Sequence, residues 1–210
     1  MKKQFFIATS VFLVSIFLSL NVWAAGEGGP VALLQSIADQ MIASLKSHKT
    51  SLKTNPSLVY SLATRIIVPH ADLNAMSKRV LPPATWNNAT PSQRSQFKNE
   101  FTTLLVRTYA SALAEYTDQT IRFYPVRGGY QGKSSVRVDS QIVRTDGPSI
   151  EVSYRLFLRG SQWMLIDMTV EGVSLLESFR SQFADKLAQG DMNNLIRELS
   201  QHNTNHSGNG

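Results

Sequence analysis

No cysteine occurs among the 210 residues. Disulfides and thiolate chemistry are therefore excluded. Only 17% of the residues are charged, yet beyond residue 25 no stretch is apolar enough to span a membrane. The chain also lacks internal repeats, a Ser-His-Asp arrangement and a G-x-S-x-G elbow. Its formal charge of +6 falls to +4 once Lys2 and Lys3 are set aside. That is too small an excess for nucleic-acid binding, but it suits transient contact with anionic membranes or acidic partners.

Those two lysines open a distinct first segment. An apolar run from Phe5 to Leu20 follows, then Val22-Trp23-Ala24-Ala25 with small residues where a peptidase cuts. This predicts a secretory signal peptide over residues 1–24. The alternative is an uncleaved anchor, although the run is shorter than the ~20 residues a spanning helix needs. Cleavage after Ala24 leaves 186 of the 210 residues, which suits one domain over 25–200. An exported domain without disulfides is held by its core, as a periplasmic protein is. The polar tail 201–210 is expected to be disordered.

Hydrophobic periodicity divides the domain into a helical start, a strand-rich middle and a helical end. Leu34, Ile37, Met41 and Leu45 mark an amphipathic helix over Val31–Lys46. A second helix opens at Pro56, carries Leu58, Leu62 and Ile66, and ends at Pro69; a third covers Asp72 to Val80 and stops at Pro82-Pro83. The clearest begins at Thr90-Pro91, where Thr90 caps and Gln93 completes a capping box. Phe97, Phe101, Leu104, Leu105, Tyr109 and Tyr116 then share one broad face. Alternation takes over at Ile121 and Phe123, at Val136, Val138 and Ile142, and most cleanly from Ile150 to Leu158. The stretch WMLIDMTV is apolar on both faces, which predicts a central strand. Short connections between successive strands predict an antiparallel meander. The fold class is therefore α+β: a twisted antiparallel sheet of about four to five strands packed with helices from both ends of the chain.

Asp167 and Glu171 raise the question of catalysis. A glycosidase pair needs carboxyls roughly 5 to 9.5 Å apart. Along a straight strand, four residues would separate these two by ~13 Å. The following residues read more simply as turn and cap: Gly172 lets the chain bend, Ser174 and Glu177 form a capping box, and Gly190 follows the helix end. Arg180 is less simply explained. It lies on the same side as the stripe Leu176, Phe179, Phe183 and Leu187, so it needs a partner, whether Glu171, Asp167 or Glu177 or an anionic head group, or a route to water. The run GGYQGKSS misses P-loop spacing and reads as a hairpin turn. His202 and His206 stand at metal-ligand spacing without further ligands, so no metal is expected.

Taken together, Arg79-Val80-Leu81, Trp86, Ala89-Thr90-Pro91, Gln93-Arg94, Phe97, Phe101, Leu104-Leu105, Arg107, Tyr109, Leu113, Tyr116, Tyr154, Trp163, Asp167, Glu171-Gly172-Val173-Ser174, Arg180 and Phe183 resemble the MlaC family of periplasmic phospholipid-binding proteins, the toluene-tolerance auxiliary component. Leu165-Ile166 departs from the pattern, where a tyrosine precedes the aspartate. The resemblance implies an α+β domain enclosing an apolar cavity for acyl chains. It implies a periplasmic carrier in the Mla pathway, which maintains outer-membrane lipid asymmetry. The carrier would take phospholipid between an outer-membrane lipoprotein–porin complex and an inner-membrane MCE-domain ABC transporter. It would use no cofactor, catalyse no reaction and bind no nucleic acid. The candidate lipid-binding residues are Phe97, Phe101, Leu105, Tyr109, Val138, Val152, Tyr154, Leu156, Trp163, Phe179 and Arg180. Amphipathicity alone equally allows a filled core, and hence an adaptor or chaperone. A small-molecule enzyme using Asp167 or Glu171 is the remaining alternative.

Overall fold

The computed structural model describes residues 28–55, 57–114, 120–144 and 147–205. The signal segment 1–24, Tyr116 and residues 206–210, His206 among them, lie outside these ranges. Among the described residues are eight α-helices: α1 (Pro30–Ser47), α2 (Lys49–Thr54), α3 (Leu58–Ile66), α4 (Leu73–Val80), α5 (Pro83–Asn88), α6 (Pro91–Ala114), α7 (Leu175–Gln189) and α8 (Met192–Asn205). Five strands form one antiparallel sheet in chain order: β1 (Thr120–Phe123), β2 (Ser135–Val143), β3 (Ile150–Arg159), β4 (Gln162–Val170) and β5 (Val173–Ser174). The α+β class and the meander are as the sequence predicts.

Local chemistry explains the helix ends. Thr90 N donates to Gln93 Oε1 at 2.8 Å and Gln93 N donates to Thr90 Oγ1 at 3.2 Å, the reciprocal bonds of a capping box. The Asp72 carboxylate caps α4 by accepting from Ala75 N at 2.9 Å. Pro83, which the sequence suggests as a stop, also starts α5, because proline is pre-set for the first helical turn. Gly190 does follow α7, but in extended backbone rather than a left-handed cap. A Cβ there would meet the Asn194 side chain at 2.9 Å, so close approach is what glycine permits. The expected disordered tail is corrected over residues 201–205. Helix α8 continues to Asn205 because Asn203 is buried, with its amide donating to Glu100 O and Glu100 Oε2 on α6.

Strand β4 also departs from expectation. It pairs with β3 along its length, but its other side meets only the two-residue β5 and a single parallel bridge from Ala71 to Leu165. The central strand is β3. WMLIDMTV reads as apolar on both faces because a bulge interrupts β4. Arg155 pairs with Asp167 and Leu156 with Leu165, leaving Ile166 as the extra residue, fully buried. The bulge shifts the alternation by one. Trp163 and Leu165 before it therefore share a face with Met168 and Val170 after it.

Three apolar clusters result. The largest joins α4, α6, α7 and α8. A second joins α1 to α3. The third packs Leu34 of α1 against Val136, Val138, Leu156 and Trp163 of the sheet.

Candidate functional site

The candidate lipid-binding residues divide between two places. Phe97 and Phe101 of α6 and Phe179 of α7 lie in the helical cluster together with Phe183. Their ring centroids are 5.4 to 5.8 Å apart, mostly edge to face. All four rings are buried. Leu105 and Tyr109 are half-buried on the flank of this cluster. Val138, Val152, Tyr154, Leu156 and Trp163 instead share one face of the sheet.

That face is apolar across four strands. The register joins Ile121 to Ile142, Ile142 to Ile150, Val152 to Val170 and Tyr154 to Met168. Its cover is uneven. α1 reaches β1 and β2, and its Leu34 seals the Val138–Leu156 region. Ile121, Ile142, Ile150, Met168 and Val170 at the other end are only half-buried. Helix α6 packs on α3, α4 and α8. Tyr154 brings a hydroxyl to the face. Burial pushes its phenol above the ordinary value, and a hydrogen bond with Ser140 works against that rise. Burial likewise raises the Tyr109 phenol. Both stay neutral at physiological pH, as an apolar lining requires.

The acids serve the turn. Asp167 Oδ1 accepts from Met168 N at 2.9 Å and from Leu176 N at 3.2 Å, and Oδ2 accepts from Ser174 Oγ at 2.8 Å. Ser174 Oγ in turn accepts from Glu177 N at 3.2 Å. Asp167 thus fixes the start of α7 against β4. Glu171 and Gly172 form the two-residue β4–β5 hairpin, with φ of 48° and 81°. Glu171 is held in this left-handed conformation by Glu151. Its N–H donates to Glu151 O at 2.9 Å and its Oε1 accepts from Glu151 N at 2.6 Å. Arg180 is exposed on α7, with Glu177 at 3.6 Å as its ion-pair partner.

The seam between helices and sheet has its own polar hub, which the sequence did not single out. Asp72 N donates to Leu165 O at 2.8 Å, and Arg159 Nε donates to Asp72 Oδ2 at 2.7 Å. The Phe157 ring lies under both Arg79, at 4.9 Å, and Arg159, at 5.3 Å. Burial raises the pKa of the Asp72 carboxyl. The Ala75 N–H and the Arg159 and Arg79 guanidiniums outweigh it and hold the value below its ordinary 3.8. An open cleft of about 460 Å³ beside the hub is lined by Asn74, Lys98, Arg159, Gln162 and Met164.

A five-stranded antiparallel sheet with one apolar face, incompletely covered by a separately packed helical layer, defines an open-sheet α+β domain. The particular family follows from comparison. Residues 35–201 match the MlaC protein family, and the chain belongs to it. The chain is 29% identical over 158 residues to a toluene tolerance protein of Pseudomonas putida, spanning 75% of this chain and 73% of that one. It is 25% identical over 205 residues to the intermembrane phospholipid transport system binding protein MlaC of Haemophilus influenzae, spanning 96% and 93%. In three dimensions it resembles the phospholipid-binding protein from Ralstonia solanacearum, solved in complex with a phospholipid. The TM-score is 0.76 at 29% identity, covering 83% of this chain and 97% of the other.

Proposed function

We propose that this protein is a phospholipid carrier whose acyl chains lie along the apolar face of the sheet, beneath the helical layer. The carrying observation is that face: apolar from β1 to β4 apart from Ser140 and the Tyr154 hydroxyl, yet only half-buried at Ile142, Ile150, Met168 and Val170. A soluble domain leaves so much contiguous apolar surface half-covered when something else covers it. Each acyl CH₂ withdrawn from water contributes ~0.8 kcal/mol, so two chains supply ample driving force. The phospholipid-bound relative supports the same ligand class. Within this reading Val138, Val152, Tyr154, Leu156 and Trp163 form the floor, and Leu105 and Tyr109 the flank. The phenylalanine cluster is the rigid backing of the helical layer.

The carrier works in the periplasm, exchanging lipid with an outer-membrane lipoprotein–porin complex and an inner-membrane MCE-domain transporter. The Mla system name of the Haemophilus relative supports that setting. Carriage needs no covalent step, and Asp167 and Glu171 are engaged in the turn. Native mass spectrometry of protein from a periplasmic extract, followed by lipid extraction, tests the proposal. A stoichiometric diacyl phospholipid is expected. A protein that stays lipid-free after incubation with labelled vesicles would overturn it in favour of a filled-core adaptor.

A further inference from the structure

The loop between β1 and β2 packs Val126 and Tyr130 against the apolar cluster around Leu34, with the Tyr130 ring 6.4 Å from that of Trp163, and carries its charged residues beside β2. β1 pairs with β2 only from Ser140 to Val143, and Tyr124 N donates to Asp139 O at 2.8 Å just beyond. From there back to Ser135, the loop runs beside the edge of β2. Between them lies an open cleft of about 320 Å³, lined chiefly by Val126, Arg127, Lys133, Ser135, Arg137 and Asp139.

Three cations against one carboxylate leave this small concavity with two positive charges in excess. Their placement is built. Glycines 128, 129 and 132 all have φ near +70°, and they curl the loop so that Lys133 returns over its own start. Lys133 Nζ donates to Arg127 O at 3.3 Å and to Gly128 O at 3.1 Å. An ammonium has three N–H groups, so one remains for a ligand. Arg137 Nε donates to Asp139 Oδ1 at 2.6 Å. That contact orients the guanidinium and leaves its two terminal amino groups outward. The Asp139 carbonyl points at Tyr124, so by strand periodicity the Arg137 N–H lies on the same edge, facing the loop. Ser135 adds a hydroxyl.

We infer that this cleft binds a phosphate group. Two guanidiniums, an ammonium, a hydroxyl and a backbone N–H around one hollow are donors suited to tetrahedral oxygens. The hollow is too polar to favour an acyl chain. Arg137 also projects to the sheet face opposite Val138 and Tyr154. The charged groups of the cleft therefore lie off the proposed acyl surface, which the cleft meets only at Val126 and Val136. Its phosphate comes either from soluble phosphate esters or from the head groups of an anionic bilayer.

Nuclear magnetic resonance titration of the full chain with inorganic phosphate, against chloride at equal ionic strength, tests the inference. Saturable shifts are expected at residues 127–137. Arg127→Glu and Arg137→Gln should each weaken binding about tenfold, the loss of one charge-assisted bond. Copurifying phospholipid should be unchanged in both variants, which separates this site from carriage. A second arm measures sedimentation with phosphatidylglycerol vesicles. Cosedimentation that phosphate competes away and Arg127→Glu abolishes assigns the head group. Phosphate shifts without cosedimentation assign a soluble ester. Shifts that never saturate, that chloride reproduces, or that both variants leave intact would overturn the site.

Discussion

Two regions of this molecule are alike in being wholly apolar, one aromatic and one aliphatic, and have opposite fates. Phe97, Phe101, Phe179 and Phe183 close on one another, ring against ring, with nothing left to cover. Ile142, Ile150, Met168 and Val170 form an equally apolar row on the sheet, yet each keeps part of its surface open. The difference lies in the neighbours. A helix of the bundle meets partners on several sides, here α4, α7 and α8 around α6. A sheet face meets only what is laid over it, here α1 at one end. The first arrangement makes a closed core and the second leaves an apolar surface partly open.

The comparison can be broken by substitution. Phe101→Ala removes a ring that packs against three others, and a cost of about 3–5 kcal/mol is expected in urea unfolding. The lipid bound per folded molecule should change little. A loss of lipid with stability intact would exchange the roles of the two regions. Asp167→Ala leaves the Met168, Ser174 and Leu176 donors without their acceptor, for about 2 kcal/mol in the same measurement. Any hydrolytic activity abolished by Asp167→Asn would revive the enzyme reading. Met168→Glu sets a charge on the half-open row. It should lower phospholipid retention about tenfold, ~1.4 kcal/mol, while unfolding shifts by less than that.

The smallest effect concerns the seam. The Asp72 carboxyl has a lowered pKa in the folded protein. Its contribution is therefore fully present above the unfolded value, and it is lost as pH falls below 3.8 and through the folded pKa. Asp72→Asn should cost about 1 kcal/mol at neutral pH, and wild type and variant should converge in acid. Unfolding midpoints measured across that range check the sign.

Much of the architecture was legible because it is local. The capping box at Thr90, the Ser174 side-chain cap and the period-2 run from Ile150 to Leu158 need only neighbours in sequence. The shift at Ile166 escaped because a bulge depends on what lies across the ladder, so WMLIDMTV mimicked a central strand. α2 and α5 are single turns or little more, too short for a period to register. Asp72 is invisible as a hub because Arg159 and Leu165 are far away in sequence.

By itself the sequence determined the alternation of elements, their caps and which residues are apolar, since these follow from backbone chemistry and periodicity. It also carried the family resemblance. Only the tertiary structure decided that Phe97 and Phe101 close into a core while Ile150 and Met168 lie on a half-covered sheet face. Burial is a property of pairs of surfaces, and no residue's own chemistry specifies what will be laid against it.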